Sequence, residues 1–233
     1  MTPFVSEFTG TALLILLGNG VVANVLLHNT KGNSAGWIVI TFGWAVGVFV
    51  GVFAATASGA HLNPAITISI AINTGDWSNV PLFILAQMIG AMFGTTLVWL
   101  AYKDHYNETD NADRIRATFC TAPAIRNSLS NLLTEMIGTF TLVISVLLMS
   151  KPDMKLGAID ALPVALLVLG IGLSLGGPTG YAINPARDLG PRIMHFILPI
   201  KNKGNSDWSY SWIPVAGPVL GAVLASIAFK FLG

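Results

Sequence analysis

Ser58-Gly59-Ala60-His61-Leu62-Asn63-Pro64-Ala65 recurs, with substitutions, as Thr179-Gly180-Tyr181-Ala182-Ile183-Asn184-Pro185-Ala186. Asn is a favoured helix N-cap, and Pro at the first helical position has the required φ and no N–H to waste. Each Asn-Pro-Ala therefore reads as a helix start. The helices so opened are short, the mostly apolar runs 63–73 and 184–195, where a bilayer crossing takes roughly 20 residues. The glycine-bearing stretches ahead of the caps, 58–62 and 179–183, are then non-helical. Such backbone is tolerated at membrane depth only where protein buries it or where it lines a wet cavity.

The surroundings of these two stretches are apolar. The 233-residue chain is 53% hydrophobic and 10% charged, against about 25% charged in an ordinary soluble domain. Residues 36–57, 81–102, 161–177 and 211–229 carry no Lys, Arg, Asp or Glu, and 5–27 and 129–150 carry one acid each, Glu7 and Glu135. These are six candidate membrane spans. They leave no room for a water-soluble catalytic domain, and no glycine loop for phosphates is present, so the chain is not expected to be an enzyme. Four dispersed histidines and the single Cys120 point to no metal, no cofactor and no intrachain disulfide. A net charge of +1 argues against a nucleic-acid partner. Met1-Thr2-Pro3-Phe4 lacks the basic segment of a secretory signal, so the first span is expected to be permanent.

The chain is internally duplicated. Glu7-Phe8-Thr9-Gly10-Thr11 opens the first span and Glu135-Met136-Ile137-Gly138-Thr139 the fourth; Gly90 and Gly94 of the third span answer to Gly217 and Gly221 of the sixth. The offsets, 128 for the glutamates, 121 for Asn63 and Asn184 and 127 for the glycines, differ only by loop length. Each half holds three spans, an odd number, so the repeats are inverted, as in many transport proteins. The fold expected is an all-α membrane protein of six transmembrane helices plus two half-helices, one channel domain. Its first repeat is 1–102, its linking loop 103–127 and its second repeat 128–233. With the N-terminus cytoplasmic, Lys31, Lys103, Arg114, Arg116, Arg126, Lys201 and Lys203 fall outside and Lys151, Lys155 and Lys230 inside, a distribution opposed to the positive-inside rule.

In an inverted repeat the two half-helices enter from opposite faces and meet near the midplane by their N-termini, each carrying about half a positive charge. That region repels cations and orients the dipole of a neutral permeant. Asn63 and Asn184 can cap with the side-chain oxygen and offer the amide NH₂ to the permeant. Carbonyls of Gly59, Ala60, His61, Gly180, Tyr181 and Ala182 would form a row of acceptors. The partners expected are small neutral solutes and water, together with the lipid bilayer.

These motifs, over essentially the whole length, resemble those of the aquaporin family, the major intrinsic proteins. Ser58–Ala65 and Asn184-Pro185-Ala186-Arg187-Asp188-Leu189-Gly190-Pro191 match its signature segments, and Glu7 and Glu135 its paired acids. The resemblance implies a right-handed bundle, a homotetramer with one pore per subunit, cytoplasmic termini in the cell membrane, and passive transport without cofactor. Asp188, Arg192 and Pro214-Val215 resemble the glycerol-conducting branch. By the family's spacing, Arg187, Tyr181 and Gly172 face the constriction, with Arg187 held by backbone carbonyls and Gly172 leaving a wide opening. Counting back twenty residues from Asn63 puts Gly43 at the fourth position, one inserted residue puts Phe42 there, and Trp44 also flanks it. Gly43 would make the filter open enough for undissociated lactic acid.

Glu7 and Glu135 read either as a proton relay or, preferably, as structural acceptors for loop N–H groups, with Pro64, Pro185 and Asp188 also structural. His61 reads as a gate or as a packed residue lending its carbonyl. Residues 103–127 read as a solvated linker rather than a cover for the pore mouth. The function expected is a passive channel for glycerol-type polyols and water. The alternatives are lactic acid, urea, hydrogen peroxide or water alone as permeant, and, from another class, a coupled secondary transporter.

Overall fold

The computed structural model describes residues 1–149 and 157–232. Six of its helices are long and apolar enough to cross a bilayer: α1 (Pro3–Leu26), α2 (Trp37–Ala54), α4 (Val80–Ala101), α7 (Ser128–Leu148), α8 (Leu162–Leu175, extended by a 3₁₀ turn at Gly157–Ala161) and α10 (Ile213–Leu232). The short helices are α3 (Pro64–Thr74), α5 (Lys103–Glu108), α6 (Ala112–Ala117) and α9 (Pro185–Ile197). Lys151 and Lys155, part of the charge distribution above, lie outside the described residues.

Local chemistry sets the helix ends. Thr2 and Asn127 accept hydrogen bonds from the first turns of α1 and α7 with their side-chain oxygens, and Pro3 occupies the first turn of α1. Asn63 and Asn184 do the same for α3 and α9, each followed by Pro, as the motifs predict. Gly75 at φ 77° ends α3, a left-handed position that glycine takes without strain.

The packing repeats itself: α1 lies against α2 and α4 as α7 lies against α8 and α10, and α2 meets α8 between the halves. The half-helices are exchanged, α3 packing chiefly on α10 and α9 on α4. Glycines bring the helices together. A Cβ on Gly90 would overlap the carbonyl oxygen of Phe8, and one on Gly221 that of Met136. Phe8 and Met136 each follow one of the paired glutamates, so Gly90 answers to Gly221 and not, as the sequence spacing suggested, to Gly217. Thr95 donating to Ala91 O at 2.8 Å and Ser226 donating to Ala222 O at 2.9 Å repeat the same correspondence. The pattern Gly-xxx-Gly has a four-residue period, so sequence comparison slipped by one helical turn. The outward face of α4 exposes Leu82, Leu85, Ile89 and Phe93, a helical stripe suited to lipid.

The linking segment is not a solvated linker. Tyr106, Ile115, Phe119 and Cys120 are buried in a cluster with Ala23, Leu27, Val98, Leu198 and Ile200, and Tyr106 Oη lies 2.7 Å from Thr118 Oγ1. Most of its charged residues face out while these apolar ones face in, so the segment caps the ends of α1, α4 and α9. The Cys120 thiol, pushed up to about 12 by burial and the nearby Asp188 carboxylate, stays protonated at neutral pH.

Candidate permeation site

The loops ahead of α3 and α9 are folded around the two glutamates. Glu7 Oε1 accepts from Ser58 Oγ at 2.6 Å and His61 N at 2.8 Å, while its Oε2 accepts from Leu62 N and Gln87 Nε2, both at 2.7 Å. In the second repeat Glu135 Oε1 accepts from Thr179 Oγ1 at 2.6 Å and Ala182 N at 2.9 Å, and Oε2 from Ile183 N at 2.8 Å. Peptides here are trans, and across a planar trans peptide the C=O of residue i−1 points opposite to the N–H of residue i. Aiming the N–H groups of His61, Leu62, Ala182 and Ile183 at the buried carboxylates therefore turns the carbonyls of Ala60, His61, Tyr181 and Ala182 the other way. The bends needed place Ala60 at φ 55°, Leu62 at 52°, Tyr181 at 38° and Ile183 at 46°, with Gly59 and Gly180 at 87° and 79°. Non-glycine residues reach this left-handed region only under strain.

The caps meet at the centre. Asn63 Nδ2 donates to Ile183 O and Asn184 Nδ2 to Leu62 O, each at 2.8 Å, so the two repeats are laced end to end through their cap residues. The oxygens serve their own helices, Asn63 Oδ1 accepting from Ala65 N at 2.9 Å and Asn184 Oδ1 from Ala186 N at 2.9 Å and Arg187 N at 3.2 Å. Each amide thus spends one N–H on the crossed bond and keeps one, not two, for a permeant.

A cavity of about 190 Å³ runs past these groups. One wall holds Gly59, Ala60, His61, Asn63, Tyr181, Ala182, Asn184 and Arg187; the other is apolar, from Leu14, Val48, Val52, Leu142, Val164 and Val168. His61 is fixed in the wall by Thr67 Oγ1, 3.1 Å from its Nδ1, and by the edge of Phe83. Gly180 is not on this wall: its Cα faces Thr121.

At one end Arg187 lies over the Trp44 ring, 4.0 Å from guanidinium carbon to ring centre. Trp44 is 3% exposed and lines the cavity. Gly43 and Phe42 do not. A Cβ on Gly43 would strike Val21 of α1, and Phe42, 57% exposed, looks outward. Successive helix residues are turned by 100°, so 42, 43 and 44 point to lipid, to α1 and to the cavity. The Arg187 guanidinium is also held differently from expectation: among the described residues its contact is the indole face, with no carbonyl accepting from it. A cation over an indole is attracted by the ring quadrupole. Gly172 leaves no opening. A Cβ there would stand 2.9 Å from Thr41 Cγ2 and 2.9 Å from Tyr181 Cζ, so the Tyr181 ring fills the space. Trp37, which the sequence did not single out, braces that ring edge-on at 5.8 Å and donates from Nε1 to Gly172 O at 3.0 Å.

Next to Arg187, Asp188 is wholly buried. Its Oδ1 pairs with Arg192 (Nη2 at 2.8 Å, Nε at 2.9 Å) and its Oδ2 accepts from both Thr121 N and Thr121 Oγ1 at 2.7 Å. Arg192 continues to Ser206 O at 2.7 Å, Asp207 O at 3.1 Å and Thr121 O at 2.9 Å. The sequence marked Arg192 only as a branch resemblance; Asp188 is its one partner at helical spacing, and Thr121, Ser206 and Asp207, 71, 14 and 15 residues away, carry no local signal.

Residues 1–229 match the family described as MIP, Major intrinsic protein. A "Glycerol uptake facilitator protein" of Streptococcus pneumoniae (strain ATCC BAA-255 / R6) is 57% identical over 232 residues, covering 99% of both chains. A "D/L-lactic acid transporter" of Lactiplantibacillus plantarum (strain ATCC BAA-793 / NCIMB 8826 / WCFS1) is 40% identical over 227 residues, 95% of this chain and 94% of that one. Among solved structures, the aquaglyceroporin from Plasmodium falciparum superposes with a TM-score of 0.81 at 33% identity, covering 98% of this chain and 95% of that one. With crossed Asn-Pro-Ala half-helices in an inverted repeat and a match along nearly its entire length, the chain belongs to the major intrinsic protein family.

Proposed function

We propose that this chain is a passive channel for glycerol-sized neutral polyols and water. The observation that carries the reading is the two-sided cavity wall. A polyol has a carbon side and a hydroxyl side, and here an apolar wall from α1, α2, α7 and α8 faces a carbonyl row that leads to Asn63 and Asn184. At the end of that row Trp44 and Tyr181 give apolar faces to the carbons, and Arg187 gives N–H donors to the hydroxyls. The pneumococcal relative, named as a glycerol uptake facilitator, supports the same substrate class. Positive half-helix ends and Arg187 act against cations, and Glu7 and Glu135, whose oxygens are all occupied by hydrogen bonds, act as structural anchors.

Undissociated lactic acid is a second reading, favoured by the lactic acid transporter relative. Its premise of an open filter at Gly43 falls with Trp44 in that place. We read the chain as one channel domain, repeats 1–102 and 128–233 joined by 103–127, forming a homotetramer in the cell membrane with both termini cytoplasmic. On the opposite face Arg116 pairs with Asp113, Arg126 with Asp207, and Lys203 with the carbonyls of Phe196 and Leu198 at the end of α9, so part of the contrary basic charge is engaged within the fold.

Light scattering from proteoliposomes shifted into sucrose, glycerol, or lactate at acidic and neutral pH tests the reading. Fast glycerol and water entry is expected. Glycerol entry no faster than in protein-free vesicles, with fast water flux, refutes the polyol assignment. Lactate entry that rises with falling pH identifies the neutral acid as permeant, and uptake against a gradient driven by protons refutes the channel.

A further inference from the structure

The constriction residues Tyr181 and Arg187 both hang on backbone that the linking segment supports from behind. Thr121 does not line the cavity, yet all three of its polar groups are committed there. Its N–H and hydroxyl both donate to Asp188 Oδ2 at 2.7 Å, and its carbonyl accepts from Arg192 Nη2 at 2.9 Å. Its methyl lies on the side of Gly180, 3.3 Å from where a Cβ there would be. Three residues on, Ala124 N donates to Pro178 O at 2.9 Å. Asp188, next to Arg187, is thus held on one carboxylate oxygen by Arg192 of its own helix and on the other by Thr121 alone.

We propose that Thr121, in the segment joining the two repeats, is a positioning residue for the constriction: through Asp188 it sets the place of Arg187 without touching the permeant. The inference rests on the polyol-channel reading and deepens it. A polyol must contact the aromatic faces and the guanidinium together, whereas a water molecule needs one donor or acceptor at a time. Loosening Thr121 therefore slows polyol passage more than water passage.

The test compares Thr121→Val and Thr121→Ser in proteoliposomes at matched amounts of folded protein, reading glycerol and water permeability separately. Valine keeps the N–H bond and loses the hydroxyl bond to Asp188. Serine keeps both and loses only the methyl. The glycerol-to-water ratio is expected to fall by about threefold to tenfold in Thr121→Val, a part of the roughly tenfold to hundredfold that one charge-assisted hydrogen bond is worth, because the bond acts on the guanidinium through Asp188, and to stay near the wild-type ratio in Thr121→Ser. Equal loss of both fluxes in Thr121→Val, an unchanged ratio, or equal shifts in the two variants overturns the inference. Where Thr121→Val yields no folded protein, Thr121→Ala, which removes the same hydroxyl without added bulk, must show the fall. Absent glycerol flux in wild-type vesicles rejects the polyol reading instead. The positioning role is then judged on water permeability per folded channel, which must change with valine and be retained with serine.

Discussion

Replacing Glu135 by Gln changes one buried oxygen into an NH₂ group at nearly constant volume. Glu135 is 1% exposed, and its carboxylate accepts from Thr179 Oγ1, Ala182 N and Ile183 N. The better amide orientation keeps the oxygen toward Thr179 and Ala182 and turns the NH₂ onto Ile183 N–H, donor against donor. That leaves one buried N–H without an acceptor, at about 1–3 kcal/mol, and reduces two charge-assisted bonds to neutral ones, at about 1 kcal/mol each. The total of about 3–5 kcal/mol falls on a loop holding Tyr181 at φ 38° and Ile183 at φ 46°. Such conformations cost of order 1–3 kcal/mol each and persist only while the surroundings enforce them. The loop should relax, turning the Tyr181 and Ala182 carbonyls out of line. Expected are a lower melting temperature in detergent and a fall in glycerol permeability of about tenfold or more per folded channel, measured by light scattering. Wild-type glycerol flux and melting temperature in Glu135→Gln would refute the anchoring argument, and loss of a proton-driven uptake with passive flux intact would establish the relay.

Gly172→Ala should displace the Tyr181 ring, because its Cβ would lie 2.9 Å from Tyr181 Cζ; glycerol flux is expected to drop more than water flux, and equal loss of both in folded protein counts against the geometry. Gly43→Ala should lower the melting temperature by pressing α2 off Val21 of α1, at about 1–3 kcal/mol for such overpacking, with the glycerol-to-water ratio kept; a changed ratio would put Gly43 back at the constriction. The Arg126–Asp207 pair gives a pH-dependent contribution. Burial alone would raise the Asp207 pKa, but hydrogen bonds from Arg126 and Ser209 outweigh it and hold the carboxyl below its ordinary value. A depressed folded pKa stabilises the fold above the unfolded value, about 3.9, and that contribution is lost as pH falls through the folded value. Arg126 is 56% exposed, so Arg126→Met should cost under about 1 kcal/mol. The difference in melting temperature from wild type should be present at neutral pH and shrink below about pH 4; a difference that grows on acidification would refute the assignment.

The sequence by itself determined the architecture, because its decisive features are chemically committed and occur twice. Asn63 and Asn184 can do little at the head of a short apolar run but cap it, Pro64 and Pro185 agree with them, and Glu7 and Glu135 stand at matching places in spans that tolerate no free charge. From these the inverted repeat, the half-helices and their meeting point follow before any coordinate. Tertiary structure alone decided the rest, since it depends on angles and on partners distant in sequence. One residue of register is 100° of helix rotation, which separates Trp44 at the cavity from Gly43 against α1 and Phe42 toward lipid. The space at Gly172 is open or filled according to where the Tyr181 ring falls, and that ring is set by Trp37, over a hundred residues away in the chain. Residues 103–127 look solvated because their charges are local and legible, whereas the burial of Tyr106, Ile115 and Phe119 exists only against α1, α4 and the end of α9. The support that Thr121 gives Asp188 spans 67 residues. Composition and spacing thus fix which groups meet at the channel centre, while the shape of its narrowest section is written in contacts that only the folded chain brings together.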